Sequence, residues 1–471
     1  MKNYITPKLL LLKLVHSKAY AAIMVSACLY AQSNSTHAEL HIKLQQPTWE
    51  FLLHNQPQPT TELSTQAQLA SSESHFASKI QPLLAAQKYD AVLKAFNERD
   101  IKNDSAALRQ LRGQILLSMQ RTKEAEQALL AAIELMPNLA LAHRSLSMVY
   151  MVEKNYAAAS KHLRKTIELG VADAQVYGQL AYVNLQQGQA ASAVAGYQYA
   201  LLLDSDNQQW QQGLLYALIN SQAFDQAQAL LEGMLQANPK DTNLWLQRGQ
   251  IALKQQRPQQ ALSSLETALV LGENNADNIA TLAQLHIQSG SANRAVTLLA
   301  NNITKMVANN NKIEVIDQVC AWLAYQQQWQ QLANLTQALQ KNTNNIPAHY
   351  RSRFAVYAAQ VAQSNGKTKH ATKLLEEAVN NDPSNGEALL TLANILRSQQ
   401  RTQRANLYYI RAEALADYKE RALLGRAQLE IDANNYPEAL RLLRLVAQLN
   451  PARTDVLANI QSLENLVRNR S

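Results

Sequence analysis

An all-α fold built from one repeated helix pair is what this sequence predicts, and three observations predict it. Only 13 Gly and 12 Pro punctuate 471 residues, too few turn formers for a β-rich chain. Hydrophobic residues make up 47% of the chain but aromatics only 6%, so Ala and Leu, the residues that lose least on entering a helix, must supply most of the core. The third observation is a period: Ala125, Ala159, Ala193, Ala227, Ala261 and Ala295 recur at intervals of 34 residues.

The elements follow in chain order. Lys2, Lys8, Lys13 and Lys18 give residues 1–38 a basic, acid-free start, followed by an apolar run from Ala19 to Ala31 and a polar stretch ending in Ala38. That is the order of a secretory signal, with Thr36-His37-Ala38 as a small-residue cleavage site. Val25-Ser26-Ala27-Cys28 also resembles the lipobox of bacterial lipoproteins, which makes Cys28 a candidate lipidation site. Cleavage at Ala38, lipidation at Cys28 and an uncleaved anchor all remain open, and each delivers the rest of the chain to the periplasm of a Gram-negative cell. Residues 39–71 comprise a short apolar cluster, Trp49, Phe51, Leu52 and Leu53, and a Gln-, Pro-, Thr- and Ser-rich linker.

From 72 to 453 the period organises everything. Around each Ala of the frame stand an apolar helix, a polar turn such as Gln186-Gln187-Gly188-Gln189, and a second apolar helix. Ala fits a place where the second helix crosses the first at close range. Gly113, Ser147, Ala181, Gly249, Ala283, Ala359, Ala393 and Ala427 supply the opposing small surface. After Ala295 the frame is expected to slip by four residues to Ala333, by four again to Ala371, and then to resume at Ala405 and Ala439. About eleven units start near 72, 106, 140, 174, 208, 242, 276, 314, 352, 386 and 420. No single hairpin of this size can bury its own apolar faces, so the units must stack into a solenoid. Residues 454–471 then form a closing helix with Gln461, Glu464 and Arg468 on its polar face.

Trp245, Gly249, Ala261, Leu265 and Ala268, and again Gly113, Ala125, Leu129, Ala132 and Pro137, resemble the tetratricopeptide repeat. The resemblance covers residues 72–453 and implies a superhelical solenoid whose first helices line a groove, with their fifth and ninth positions pointing inward. Those positions hold Gln110 and Gln114, Arg144 and Met148, Gly178 and Tyr182, Gln212 and Tyr216, Leu246 and Gln250, and Ala280 and Gln284. With Lys254 they make a polar, amide-rich candidate partner-binding groove. It lacks the Lys and Asn set with which chaperone-binding members of the family clamp a terminal carboxylate. Tyr182 and Tyr216, one period apart, are expected side by side.

Other chemistries find no support. Net charge is +8, but four of those charges lie in residues 1–38, and the remainder shows no basic face for nucleic acid. Two cysteines, Cys28 and Cys320, make no disulfide framework. Cys320 sits on the apolar face of Val315, Val319, Trp322 and Leu323 and reads as a small core residue. The pair His37 and His41 straddles the cleavage site, and the remaining His are scattered, so neither a metal, a cofactor nor a catalytic site is expected. The expected role is non-enzymatic, a scaffold for a protein or peptide partner.

Asp173-Ala174-Gln175-Val176-Tyr177-Gly178, Ala200-Leu201-Leu202-Leu203 and Trp210-Gln211-Gln212-Gly213-Leu214 resemble tetratricopeptide proteins that accompany TonB, ExbB and ExbD energy-transduction systems in gamma-proteobacteria. This resemblance implies a periplasmic accessory role in iron uptake. An assembly factor or chaperone for a pilus, an exported polysaccharide or a cytochrome system is the alternative. Membrane association is expected only through the N-terminal segment.

Overall fold

The computed structural model of the chain describes residues 66–308, 310–342 and 345–468. The signal segment, Cys28 and the Trp49 to Leu53 cluster lie outside the described residues. Among the described residues are twenty-four α-helices and no strand, so the fold is the all-α solenoid of helix pairs. No described helix is long and apolar enough to cross a membrane. The chain divides into two compact units between Ile251 and Ala252, within one helix.

The first unit contains α1 (Ser74–Ala85), α2 (Tyr89–Asn97), α3 (Ala106–Ser118), α4 (Thr122–Leu135), α5 (Ala140–Val152), α6 (Tyr156–Glu168), α7 (Ala174–Gln186), α8 (Ala190–Leu203), α9 (Gln208–Asn220) and α10 (Phe224–Ala237), and most of α11 (Thr242–Lys254). The second contains α12 (Pro258–Val270), α13 (Ala276–Gln288), α14 (Ala292–Asn301), α15 (Ile303–Val307), α16 (Asn310–Tyr325), α17 (Trp329–Gln340), α18 (Ala348–Ser364), α19 (Thr368–Asn381), α20 (Gly386–Ser398), α21 (Thr402–Glu413), α22 (Lys419–Asp432), α23 (Tyr436–Leu449) and α24 (Thr454–Arg468).

Each pair is joined by the same turn. Gln87, Gln120, Lys154, Gly188, Gln222, Gln256, Gly290, Gln327, Gly366, Gln400 and Asn434 all take positive φ. The next residue's N–H reaches back to the carbonyl five positions before the turn residue's own successor, as in Arg121 N to Leu116 O and Arg401 N to Leu396 O, both 2.9 Å. This left-handed stop satisfies the last carbonyls of the first helix and reverses the chain.

Five residues after each turn residue comes the helix crossing. Ala125, Ala159, Ala193, Ala227, Ala261, Ala295, Ala371, Ala405 and Ala439 are all completely buried there. Ala333 is not: it is only half-buried, and the residue five after Gln327 is the buried Leu332. The turn spacing from Gly290 to Gln327 is 37 residues and from Gln327 to Gly366 is 39, so the two slips are three and five rather than four and four. Short helix α15 lies in the first stretch, and a lengthened α18 follows the second connection. Opposite Leu332, twelve residues before it, is the buried Cys320, which holds the small-residue position of α16.

Four residues after the crossing a Leu fills the interior at Leu129, Leu163, Leu231 and Leu265, all buried. Tyr197 and Tyr409 take that place in two repeats, and they are the two largest fully buried side chains. The first helix of the following repeat makes room for each with a glycine, Gly213 for Tyr197 and Gly425 for Tyr409. Bulk in one repeat is thus matched by absence in the next, which is how an Ala- and Leu-based stack accepts two tyrosines without overpacking. In α24, Val456, Ile460 and Leu463 are buried while Gln461 and Arg468 face outward, and Glu464 accepts from Arg444 Nη2 at 2.7 Å.

Candidate protein-binding face

Successive first helices lie against one another, and their polar side chains are the natural place for contacts with a partner. Several of these side chains are instead committed to the neighbouring repeat. Arg144 on α5 is only 4% exposed. Its Nη1 donates to Asp173 Oδ2 at 2.8 Å and its Nη2 to Gln175 Oε1 at 2.7 Å. Asp173 is also the N-cap of α7, accepting from Val176 N at 2.9 Å, so one carboxylate starts a helix and fastens the preceding one. Gln114 Nε2 donates to Ser145 Oγ at 3.2 Å, again from one first helix to the next.

The second unit repeats the device. Gln284 Nε2 donates to Gln318 Oε1 at 3.4 Å, and Arg353 is paired with Asp317 at 2.6 Å. Burial pushes the Asp317 carboxyl up to about 6, against the opposing pull of Arg353 and of a 3.3 Å hydrogen bond donated by Tyr357 Oη. In both units, then, several polar side chains of first helices are used on the neighbouring repeat, because a polar group left alone between stacked helices is costly.

The groove expected from the sequence is therefore smaller than its residue set. Arg144 and Met148 are withdrawn: the guanidinium is spent on Asp173 and Gln175, and Met148, 5% exposed, is part of the core. Tyr182 is half-buried and packs on that same core, edge-on to Tyr156 at 6.3 Å between ring centres. Burial and a hydrogen bond with Tyr156 push its hydroxyl up to about 12. Its ring partner is Tyr156 rather than Tyr216. Tyr216 belongs to none of the core clusters of the first unit and stays half-exposed on α9, beside Gln212 on the preceding turn. Gln110 is half-buried on α3. Gln250 is half-buried with an Oε1 that has no hydrogen-bond partner. Lys254 and Gln284 lie in the second unit, Lys254 exposed.

Two polar residues not anticipated are Gln179 and Gln247, both buried at the sixth position of α7 and α11. Gln179 has neither amide atom paired and Gln247 has an unpaired Oε1. Their spacing of two periods was the available signal, since the same position holds Ser145 and Thr281, also buried.

A second polar cluster joins α5 to α6. His143 Nε2 lies 3.0 Å from Pro137 O, and His143 Nδ1 lies 2.9 Å from His162 Nδ1. A carbonyl only accepts, so His143 carries its proton on Nε2 and its Nδ1 accepts from His162 Nδ1–H. Tyr150 stacks on His162 at 5.5 Å and donates to Glu126 Oε1 at 2.7 Å. Among the described residues no group of three or more His, Cys, Asp or Glu could hold a metal ion. The Cys320 thiol is fully buried and burial pushes it well up, the opposite of what a nucleophile needs.

Comparison with known proteins bears on the fold. Family models described as Tetratricopeptide repeat match residues 106–139, 184–251 and 358–420. Tetratricopeptide repeats are therefore recognised in those three stretches, and such repeats imply a protein–protein interaction scaffold. No curated protein matches it significantly. Among solved structures it is similar to YrrB, described as a TPR protein with an unusual peptide-binding site, at 20% identity over 42% of this chain and 97% of that one, with a TM-score of 0.36. Naa15/Naa10 bound to HypK-THB is similar at 15% identity over 79% and 68%, with a TM-score of 0.40. The TPR domain of P58(IPK) is similar at 18% identity over 72% and 98%, with a TM-score of 0.23.

Proposed function

We propose that this protein is a non-enzymatic periplasmic scaffold that holds a protein or peptide partner on the first-helix face around Tyr216. The observation that carries this reading is the contrast along that face: Arg144, Met148 and Tyr182 are tied or packed, while Tyr216 on α9, half-buried like Tyr182, belongs to no core cluster of its unit and has Gln212 beside it. Tyrosine offers apolar area and a hydroxyl at small entropic cost, and a neighbouring amide can pair with backbone along a bound chain.

The finer reading is an accessory role in a TonB, ExbB and ExbD system serving iron uptake. It is supported by the likeness of residues 170–214 to such proteins and by the signal-like order of residues 1–38. The structure gives several residues of that likeness a packing role: Asp173 caps α7, Gly178 makes room for Trp210, and Gly213 makes room for Tyr197. Leu202 and Leu203 have no such role, because both are exposed. In a deletion strain, poor growth on chelated iron and cross-linking of the restored protein to a TonB, ExbB or ExbD component are expected. Normal growth together with no such cross-link moves the role to pilus, polysaccharide or cytochrome assembly. Suppression of client aggregation in place of a stable complex would mark a chaperone.

A further inference from the structure

The second helices of the first unit carry one outer face unlike the rest. Helix α8, Ala-Ala-Ser-Ala-Val-Ala-Gly-Tyr-Gln-Tyr-Ala-Leu-Leu-Leu, contains no charged residue. Its inward residues Ala193, Tyr197 and Ala200 are buried, and its outward side is uncharged and largely apolar, with Gln198 and Ser192 the exposed polar residues on it. Tyr199 is 56% exposed, Leu202 78% and Leu203 55%, and the small residues Ala191, Ser192 and Ala195 continue the stripe toward the N-terminus. Tyr177 stacks on Tyr199 at 5.3 Å and holds that ring in place at the edge of the patch. Contiguous exposed apolar surface of this kind marks an interaction site.

The helices before and after α8 in the stack say what covers it. On α6 the exposed charges include Lys161 and Arg164, and the helix sums to net +2, since Lys165 is paired with Glu168. On α10 the exposed Glu232 is acidic. The outer face therefore reads basic, neutral and apolar, acidic. A two-fold axis running nearly along α8 lays that helix on its own copy and sets each copy's α6 over the other's α10. The charges then oppose one another on both flanks while the apolar stripes meet at the centre, as an isologous interface requires.

We propose that the outer face of α6, α8 and α10 is a self-association surface, and that its occupant is a second copy of this chain. At 1.5 Å per residue α8 is about 21 Å long, and at a helix diameter of roughly 10–12 Å its outward side alone offers about 200–250 Å² per copy. That is below the about 800 Å² of a standard stable interface, so the dimer is a weak one that dissociates in the micromolar range. The surface lies on second helices, so it is separate from the Tyr216 face and does not depend on what binds there.

Sedimentation of the full chain from about 1 to about 100 μM tests this, a range spanning the dissociation expected for such an area. A dimer that dissociates on dilution is expected, together with a monomeric Leu202→Glu variant whose thermal melt is unchanged. Reversing one flank, Lys161→Glu with Arg164→Glu, should weaken the dimer by about tenfold, and reversing the other as well, Glu232→Lys, should restore part of it. A chain that stays monomeric throughout overturns the proposal, as does a dimer indifferent to Leu202→Glu. If a monomeric chain shows a fluorescence shift on Leu202→Glu that Trp49→Phe abolishes, the chain's own N-terminal segment covers the face, which also overturns it.

Discussion

The ring of Tyr197 fills the space that a side chain on Gly213 would need: a Cβ built there would fall 2.5 Å from Tyr197 Cε1. Gly213→Ala should therefore force two repeats apart and cost about 1–3 kcal/mol in denaturant melts. Gly233→Ala is the control. Gly233 is exposed within α10 and nothing lies within 4 Å of the site, so the methyl should stabilise by about 1 kcal/mol through helix propensity alone. Equal effects at the two sites would contradict this packing.

The two buried tyrosines differ in one atom. Tyr409 Oη donates to Asn394 Oδ1 at 2.6 Å, whereas Tyr197 Oη has no hydrogen-bond partner. Tyr409→Phe should cost about 1 kcal/mol or more because it strips Asn394 of its donor, and Tyr197→Phe should be neutral or stabilising. Paired urea titrations read the difference directly.

The His143 and His162 pair makes stability depend on pH. Burial, with neighbouring His143 and Lys161, pushes His162 down to about 4, and burial lowers His143 also. An unfolded His titrates near about 6.5, so between there and pH 4 the unfolded chain binds more protons than the folded one. This contribution is complete above about pH 6.5 and falls as pH is lowered toward 4. With partial exposure discounted, the loss is about 1–2 kcal/mol. His162→Gln should flatten that slope in urea midpoints taken at several pH values, and an unchanged slope would remove the pair as its source.

Six of the eleven interhelix turns place Gln in the left-handed region, including Gln400 at φ 60°. A side chain there costs about 1–2 kcal/mol, partly offset by the larger unfolded-state entropy of glycine. Gln400→Gly should stabilise by up to about 1 kcal/mol, and Gly366→Ala, at φ 70°, should destabilise by a similar amount. The reverse order in thermal melts would contradict the turn geometry.

The helical fold and most crossings were legible because Ala at a fixed interval reports the close approach of two helices, a requirement that Ala meets at nine of the crossings. Ala333 misled because two unequal insertions sum to the same total as two equal ones. The structure resolves them through the left-handed Gln327, five residues before Leu332. The Tyr197 and Gly213 match escaped notice because its 16-residue spacing crosses from one repeat to the next. The face was legible only as positions. The resemblance places residue 144 on the groove side of its helix, but whether Arg144 reaches Asp173 or a partner depends on the neighbour's cap, which the period does not contain.

The central claim is that a partner lies on the first-helix face at Tyr216, and site-specific photo-cross-linking in living cells tests it most directly. A photoreactive residue at Tyr216 should give discrete adducts with a protein partner, while one at the exposed Glu124 on α4 should give none of these. Adducts that form at Glu124 and not at Tyr216 would contradict the account.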